Sequence, residues 1–537
     1  MKSILFIFCI LILVCSCYKD KGNYEYNEIN QLEIGGKIDS VILCDQMDIL
    51  HIPVELKGTQ YDDTSRFSYT WEINKKEVAY TKDLNIYANF PLGEVVGRYI
   101  VTDKELGTKA FKVFKIKVSS STAGDAILVL SKYKGHAELS FKRLDKANSV
   151  FTPNYYYDLV GNYLGLEPKK IHRNYVPEEG NKNSGLKIET DHKLKCLSDE
   201  TLVEIGEDVF LDQHFFINRS MSYPPEVPVF DVQSFSHLTT GAEENSKGAC
   251  MFLIANNELW HDQYMYMFGM SVNLTQLCKK SPLNGKLSSA FFLPSLKTSG
   301  AQKYETPELI YLFDETAGRF ITMSLMSPSG SVCSEIGDYP GYRLMYGTHT
   351  ASLNYAVAVL ENDAQSKILY MKLPAKASET NTIPPTLVGS ADVPSNILNK
   401  TTSFYSMKNE GYLLFATRNK LYKYNLHNLE SGTAPSVQDE IVTLSDFGFG
   451  EDAEITCMAV TRTEQEVVLG VSRYGDDVDG MSDELKGDVL VLNMKTMELI
   501  KKYEGVAGRP VDIIVKYQKF LRDGKEDGET VSDVLHF

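Results

Sequence analysis

Ala126-Ile127-Leu128-Val129-Leu130, followed after a polar turn by Gly135-His136-Ala137-Glu138-Leu139, is the stretch that decides the fold. An apolar strand enters a turn and a second apolar strand leaves it. The same pattern returns six times: 186–188 into 191–194, 251–254 into 257–260, 309–313 into 318–321, 355–360 into 366–369, 412–416 into 419–422, and 467–471 into 487–490. Gly135 and Gly487 lie roughly 350 residues apart, so each repeat averages about 59 residues, ample for four strands and their loops. A lone hairpin cannot bury both of its apolar faces, so neighbours must stack, and radial closure removes the open ends. The spacing therefore predicts a seven-bladed β-propeller over 125–522, with the strand at 511–517 joining the one near Ala126 in a single blade. A large β-sandwich or a row of small ones is the competing arrangement. An acidic tail, 523–537, is expected to be loose.

Upstream, short apolar segments recur over 32–120 at the spacing of a small β-sandwich. Predicted strands are 49–56, 67–73, 97–102 and 110–118. In the last, Phe114, Ile116 and Val118 alternate with Lys115 and Lys117, which places one face in a core and the other in water. Trp71, with Tyr69 and Ile73 on the same side of its strand, reads as the central core tryptophan of an immunoglobulin-like sandwich. The run 97–107 reads as strand, acidic turn with glycine, strand, and resembles the end of a PKD domain. The small-residue run 119–124 separates the two regions.

Composition agrees with an all-β chain: 43% of the 537 residues are apolar, with 31 Tyr and 25 Phe, residue types that suit pleated, half-buried surfaces. The formal net charge is −16, which argues against nucleic acid as a partner, since phosphate backbones need a basic face.

At the N-terminus, Lys2 and an apolar run over 4–14 form the charged and hydrophobic regions of a leader too short to span a bilayer. Val14-Cys15-Ser16-Cys17 resembles the bacterial lipobox, which implies cleavage after residue 16 and lipidation of Cys17. The mature chain is then expected to be lipid-anchored, with 17–31 as its tether. Six cysteines remain downstream of Cys17, none in a C-x-x-C pair; they read as buried apolar residues more than as a disulfide framework, with one or two bridges, unassigned by sequence, as the alternative outside the cytoplasm.

The lipobox, the segment Tyr18-Lys19-Asp20-Lys21-Gly22-Asn23-Tyr24, one PKD-like domain and a long β-rich region opening at Ala126 together resemble the PKD-like lipoprotein family of Bacteroidota. The resemblance implies an outer-membrane lipoprotein facing the cell exterior, accessory to a TonB-dependent transporter and its SusD-like lid lipoprotein in nutrient capture. It carries over no catalytic residue.

Neither G-x-S-x-G nor H-E-x-x-H occurs, so serine and zinc hydrolysis lack their motifs. His192 and Cys196 have metal-like spacing but sit in a predicted strand. The acidic loop with Asp477, Asp479, Gly480 and Asp483 offers oxygens and a sharp turn for calcium, yet EF-hand alignment fails at its first and last positions. No other cofactor is expected. For ligand binding the aromatic runs carry more weight: Tyr155 and Tyr156 in Asn154-Tyr155-Tyr156-Tyr157-Asp158, and Trp260 and Tyr264 in a stretch alternating rings and methionines. Such side chains suit stacking on sugars or gripping peptides. The expected function is non-enzymatic binding of a glycan or peptide nutrient, or docking onto a transporter complex. The alternatives are a glycan hydrolase or lyase using carboxylates at the propeller's central mouth and a purely architectural subunit.

Overall fold

The computed structural model describes residues 30–36, 38, 41–46, 48–60, 63–174, 185–190, 193–198, 200–204, 232–240, 248–255, 258–265, 270–276, 286–288, 291–295, 305–324, 332–350, 355–372, 385–407, 410–474, 480–517, 525–526, 529–530 and 535–537. The chain divides into two compact units, Met1–Ser121 and Thr122–Phe537. Among the described residues no helix is long and apolar enough to cross a membrane.

The first unit is the expected sandwich. Its main sheet runs Val41–Asp45, Lys109–Ser119, Gly93–Asp103, Phe67–Ile73, Lys76–Ala79, and two-stranded pairs, Leu32–Gly36 with Val54–Gly58 and Ile49–Ile52 with Leu84–Tyr87, supply the rest. The predicted strand 49–56 is split at Pro53, which has no N–H to give a ladder. Trp71 is fully buried against Tyr99, with ring centroids 4.3 Å apart. Its indole Nε1 donates to the Thr81 carbonyl at 2.8 Å, as a buried Trp N–H must. The acidic turn closes on Asp103, whose carboxylate accepts from Arg66 at 2.6 Å and from the backbone N–H groups of Glu105 and Leu106.

In the second unit, the described strands form seven sheets of three or four strands, besides the two-stranded pair Lys525–Glu526 with Glu529–Thr530. Six follow the chain: three strands over 170–198, then four each over 232–276, 291–336, 343–394, 403–443 and 454–507. The remaining sheet joins the unit's two ends, because Ala126–Tyr133 pairs on one side with His136–Arg143 and on the other with Arg509–Lys516. Every predicted hairpin is present. The first-sheet turn is Lys134-Gly135, both at positive φ (52° and 77°), the two-residue form whose twist matches its strands.

Contacts run from sheet to sheet in chain order and return to the start. Lys170–Asn174 meets Val232–Thr240, Val232–Thr240 meets Glu305–Asp314, Phe291–Ser295 meets Arg343–His349, and that strand meets Ser403–Ser406, which meets Glu454–Val460. Arg509–Lys516 lies against both Glu454–Val460 and Lys170–Asn174. This is the neighbour order of a propeller, with the terminal strand placed between the first and last sheets. Packing of a sheet against its neighbour's connecting turn is close: a Cβ at Gly389 would fall 2.0 Å from the carbonyl oxygen of Leu429 in the turn Leu426–Ser431. The tail expected to be loose ends attached to the first sheet. The His536 N–H donates to the Leu144 carbonyl at 2.9 Å, and Leu535 and Phe537, partly buried, pack against the apolar cluster that includes Ile127 and Val129, which offsets the cost of ordering the end.

Candidate functional site

A three-ring stack is built on the first sheet. His136 opens the strand after the Lys134-Gly135 turn, and its ring lies parallel to Tyr163 with centroids 4.2 Å apart. Tyr163 stacks in turn on Tyr157 at 4.5 Å. Tyr157 belongs to the helix Tyr155–Val160 and remains 42% exposed. Val160, one turn on in the same helix, is exposed as well. Across the turn, the Gly135 N–H donates to the Gly480 carbonyl, and the Tyr133 hydroxyl to that of Asp483, both at 2.9 Å. Met481 stands exposed against Gly135.

Glu138 holds the helix in place. It is fully buried, and its Oε1 accepts from the N–H groups of Leu139, Tyr156 and Tyr157 at 2.9, 2.9 and 3.1 Å. Burial pushes the carboxyl up to about 7, against the pull of those three N–H donors. The sheet's outer edge is also occupied. Ala137 exchanges bonds with Gly165 and Leu164, and Phe141 with Thr152, while Leu139 donates to Glu138 and Arg143 to the Ser149 hydroxyl.

The tyrosine run therefore divides in a way sequence did not reveal. Tyr155 and Tyr156 are buried: the first packs edge-on to Phe141, and the second donates from its hydroxyl to Glu204 at 2.6 Å. Helical geometry turns consecutive side chains about 100° apart, so Tyr157 alone of the three faces out. His136 and Tyr163 carried no sequence signal, being separated in the chain and joined by the fold. Trp260 and Tyr264 lie on the strand Glu258–Met265, and their side chains lie outside the described residues, as do Cys17, His192, the Cys196 side chain, Asp477 and Asp479. Asp483 is exposed, and among the described residues no group of three or more His, Cys, Asp or Glu is placed to hold a metal ion. Cys44 and Cys457 are free thiols.

Described titratable groups on Arg509–Lys516, Lys170–Asn174 and Glu454–Val460 tie neighbouring strands together, in two cases between sheets and in one within a sheet. Asp512, on the terminal strand, accepts from the Ile171 N–H at 2.7 Å, and burial raises it to about 6. His172 meets Glu189 at 3.0 Å, and burial lowers it to about 4, which keeps it neutral at pH 7. Glu454 is paired with Arg509 at 2.8 Å.

Residues 17–168 match the PKD-like family, a span that crosses from the sandwich into the first propeller sheet and takes in His136, Tyr157 and Tyr163. Among solved structures, the chain is similar to a quinonprotein alcohol dehydrogenase-like protein from Bacteroides thetaiotaomicron (TM-score 0.43, 11% identity, 89% of this chain and 97% of that one). It is also similar to an auxiliary nutrient binding protein from the same organism (TM-score 0.32, 12% identity, 81% and 93%). Among curated proteins, DNA mismatch repair protein MutS from two strains of Streptococcus thermophilus is 23% identical over 282 residues, 48% of this chain. That match spans only 32% of the MutS length. The chain is an all-β protein in which a PKD-like domain precedes a propeller-like region whose C-terminal strand pairs with its first strand.

Proposed function

We infer that this is a binding protein, anchored by lipid at Cys17 to the outer face of an outer membrane, with its propeller presenting a ligand-binding surface. The observation that supports this reading is the His136–Tyr163–Tyr157 stack, which ends in an exposed ring on a scaffold fixed by Glu138. Exposed aromatic side chains on rigid elements are the usual currency of recognition. Asp512 and Glu454 are held in a backbone hydrogen bond and an ion pair, so these two carboxylates lend no support to the alternative of carboxylate-driven glycan cleavage. The lipobox resemblance supports the anchor, and the likeness of the N-terminal region to PKD-like lipoproteins supports service beside a TonB-dependent transporter and its SusD-like lid.

The test is recovery of the full lipoprotein from gently solubilised outer membranes, followed by mass spectrometry. Near-equal recovery of a transporter and its lid is expected. Recovery of the protein alone would refute the accessory role, and a Cys17→Ala chain that still partitions into membranes would refute the anchor.

A further inference from the structure

The chemistry of the exposed ring and the state of the sheet edge beside it together narrow the class of ligand. Tyr163 is covered on both faces, by His136 on one side and Tyr157 on the other. The stack can grow only at an end, and the exposed end ring is Tyr157. A ligand that extends it needs a flat apolar face of about ring size. Two common partners provide recognition at such a place: a peptide, most often by adding a strand to an open sheet edge, or a sugar, by laying the C–H face of a pyranose on the ring.

The edge next to Tyr157 does not favour the peptide. The N–H groups of Ala137, Leu139, Phe141 and Arg143, which face outward along the strand His136–Arg143, are all taken by Gly165, Glu138, Thr152 and Ser149. An added strand would have to displace those bonds. A sugar displaces none of them. It would meet the exposed Asp158 and Val160 of the same helix, one polar and one apolar. Charge narrows the class further, because a chain with net charge −16 repels acidic polysaccharides.

We propose that the free face of Tyr157 is a carbohydrate-binding subsite that takes the apolar face of a pyranose in a neutral glycan. This rests on the binding reading above and names its ligand class. The ring matters more than its hydroxyl, since the contact is stacking, and the subsite depends on the Glu138 brace that keeps Tyr157 turned outward.

The experiment is affinity electrophoresis of the full chain in gels cast with soluble neutral polysaccharides (xylan, mixed-linkage β-glucan, α-mannan, pullulan), followed by calorimetry on whichever retards it. A casein peptide digest serves as the competing ligand class. Retardation by at least one polysaccharide is expected. Tyr157→Ala should weaken that binding about tenfold, Tyr157→Phe by less than about twofold, and Tyr80→Ala, at an exposed tyrosine of the sandwich, not at all. Glycan binding unchanged by Tyr157→Ala overturns the subsite while leaving the binding reading intact. Binding of the peptide digest alone overturns the ligand class. Retention of no probe overturns both.

Discussion

Replacing Glu138 by glutamine should abolish a pH dependence that the structure assigns to one group. The carboxyl is fully buried and its pKa lies at about 7 in the folded chain, against an ordinary value of 4.5. A carboxyl raised in this way contributes its full stability below about 4.5, where it is protonated folded or unfolded. As pH climbs towards 7 the unfolded chain ionises first, and the contribution is lost. At roughly 1.4 kcal/mol for each pH unit between the two values, the loss comes to about 3 kcal/mol. Because the Tyr156 and Tyr157 N–H groups donate to this carboxyl, the change should appear locally. Amide exchange of peptides spanning 152–165, corrected for intrinsic rates, reads the free energy of local opening. The opening constant in the natural chain should rise about a hundredfold between pH 4.5 and 7.5. In Glu138→Gln it should stay flat, so that the difference between the two isolates Glu138 from every other titrating group. Parallel pH profiles in the two chains would refute the assignment.

In the sandwich the sign is opposite. Arg66 and the surrounding N–H donors hold Asp103 down at about 2, so its contribution is present above about pH 4 and lost as pH falls towards 2. Asp103→Asn should lower the sandwich's stability by about 3 kcal/mol at pH 7 and flatten its acid limb, read by denaturation followed through the buried Trp71. Deleting residues 508–537 removes the strand that pairs with Ala126–Tyr133 and exposes a long apolar edge. The truncated chain should lose cooperative unfolding of Thr122–Phe537 and aggregate, and a calorimetric transition unchanged from the full chain would refute the clasp.

Strand periodicity made most of the fold legible. Side-chain alternation at 114–118 and the apolar hairpins from 126 onward are local signals, set by residues two apart on one strand. The apolar character of 511–517 even pointed to a strand that completes the first sheet. The candidate site was less legible. Its tyrosine run was visible, but which ring faces solvent depends on the short helix Tyr155–Val160, and a helix anchored by a buried glutamate from another strand leaves no periodic trace.

The sequence by itself determined the strand-rich class, the two-part organisation and the repeated hairpins, because each is written in neighbouring residues. Only the tertiary structure decided that Tyr155 and Tyr156 turn inward, and that the end of the chain fastens to its first sheet. It also brought His136, Tyr157 and Tyr163 into one stack. These outcomes depend on which groups compete for the same buried space and the same hydrogen-bond partners across long separations in the chain, and that competition is settled only when the sheets pack.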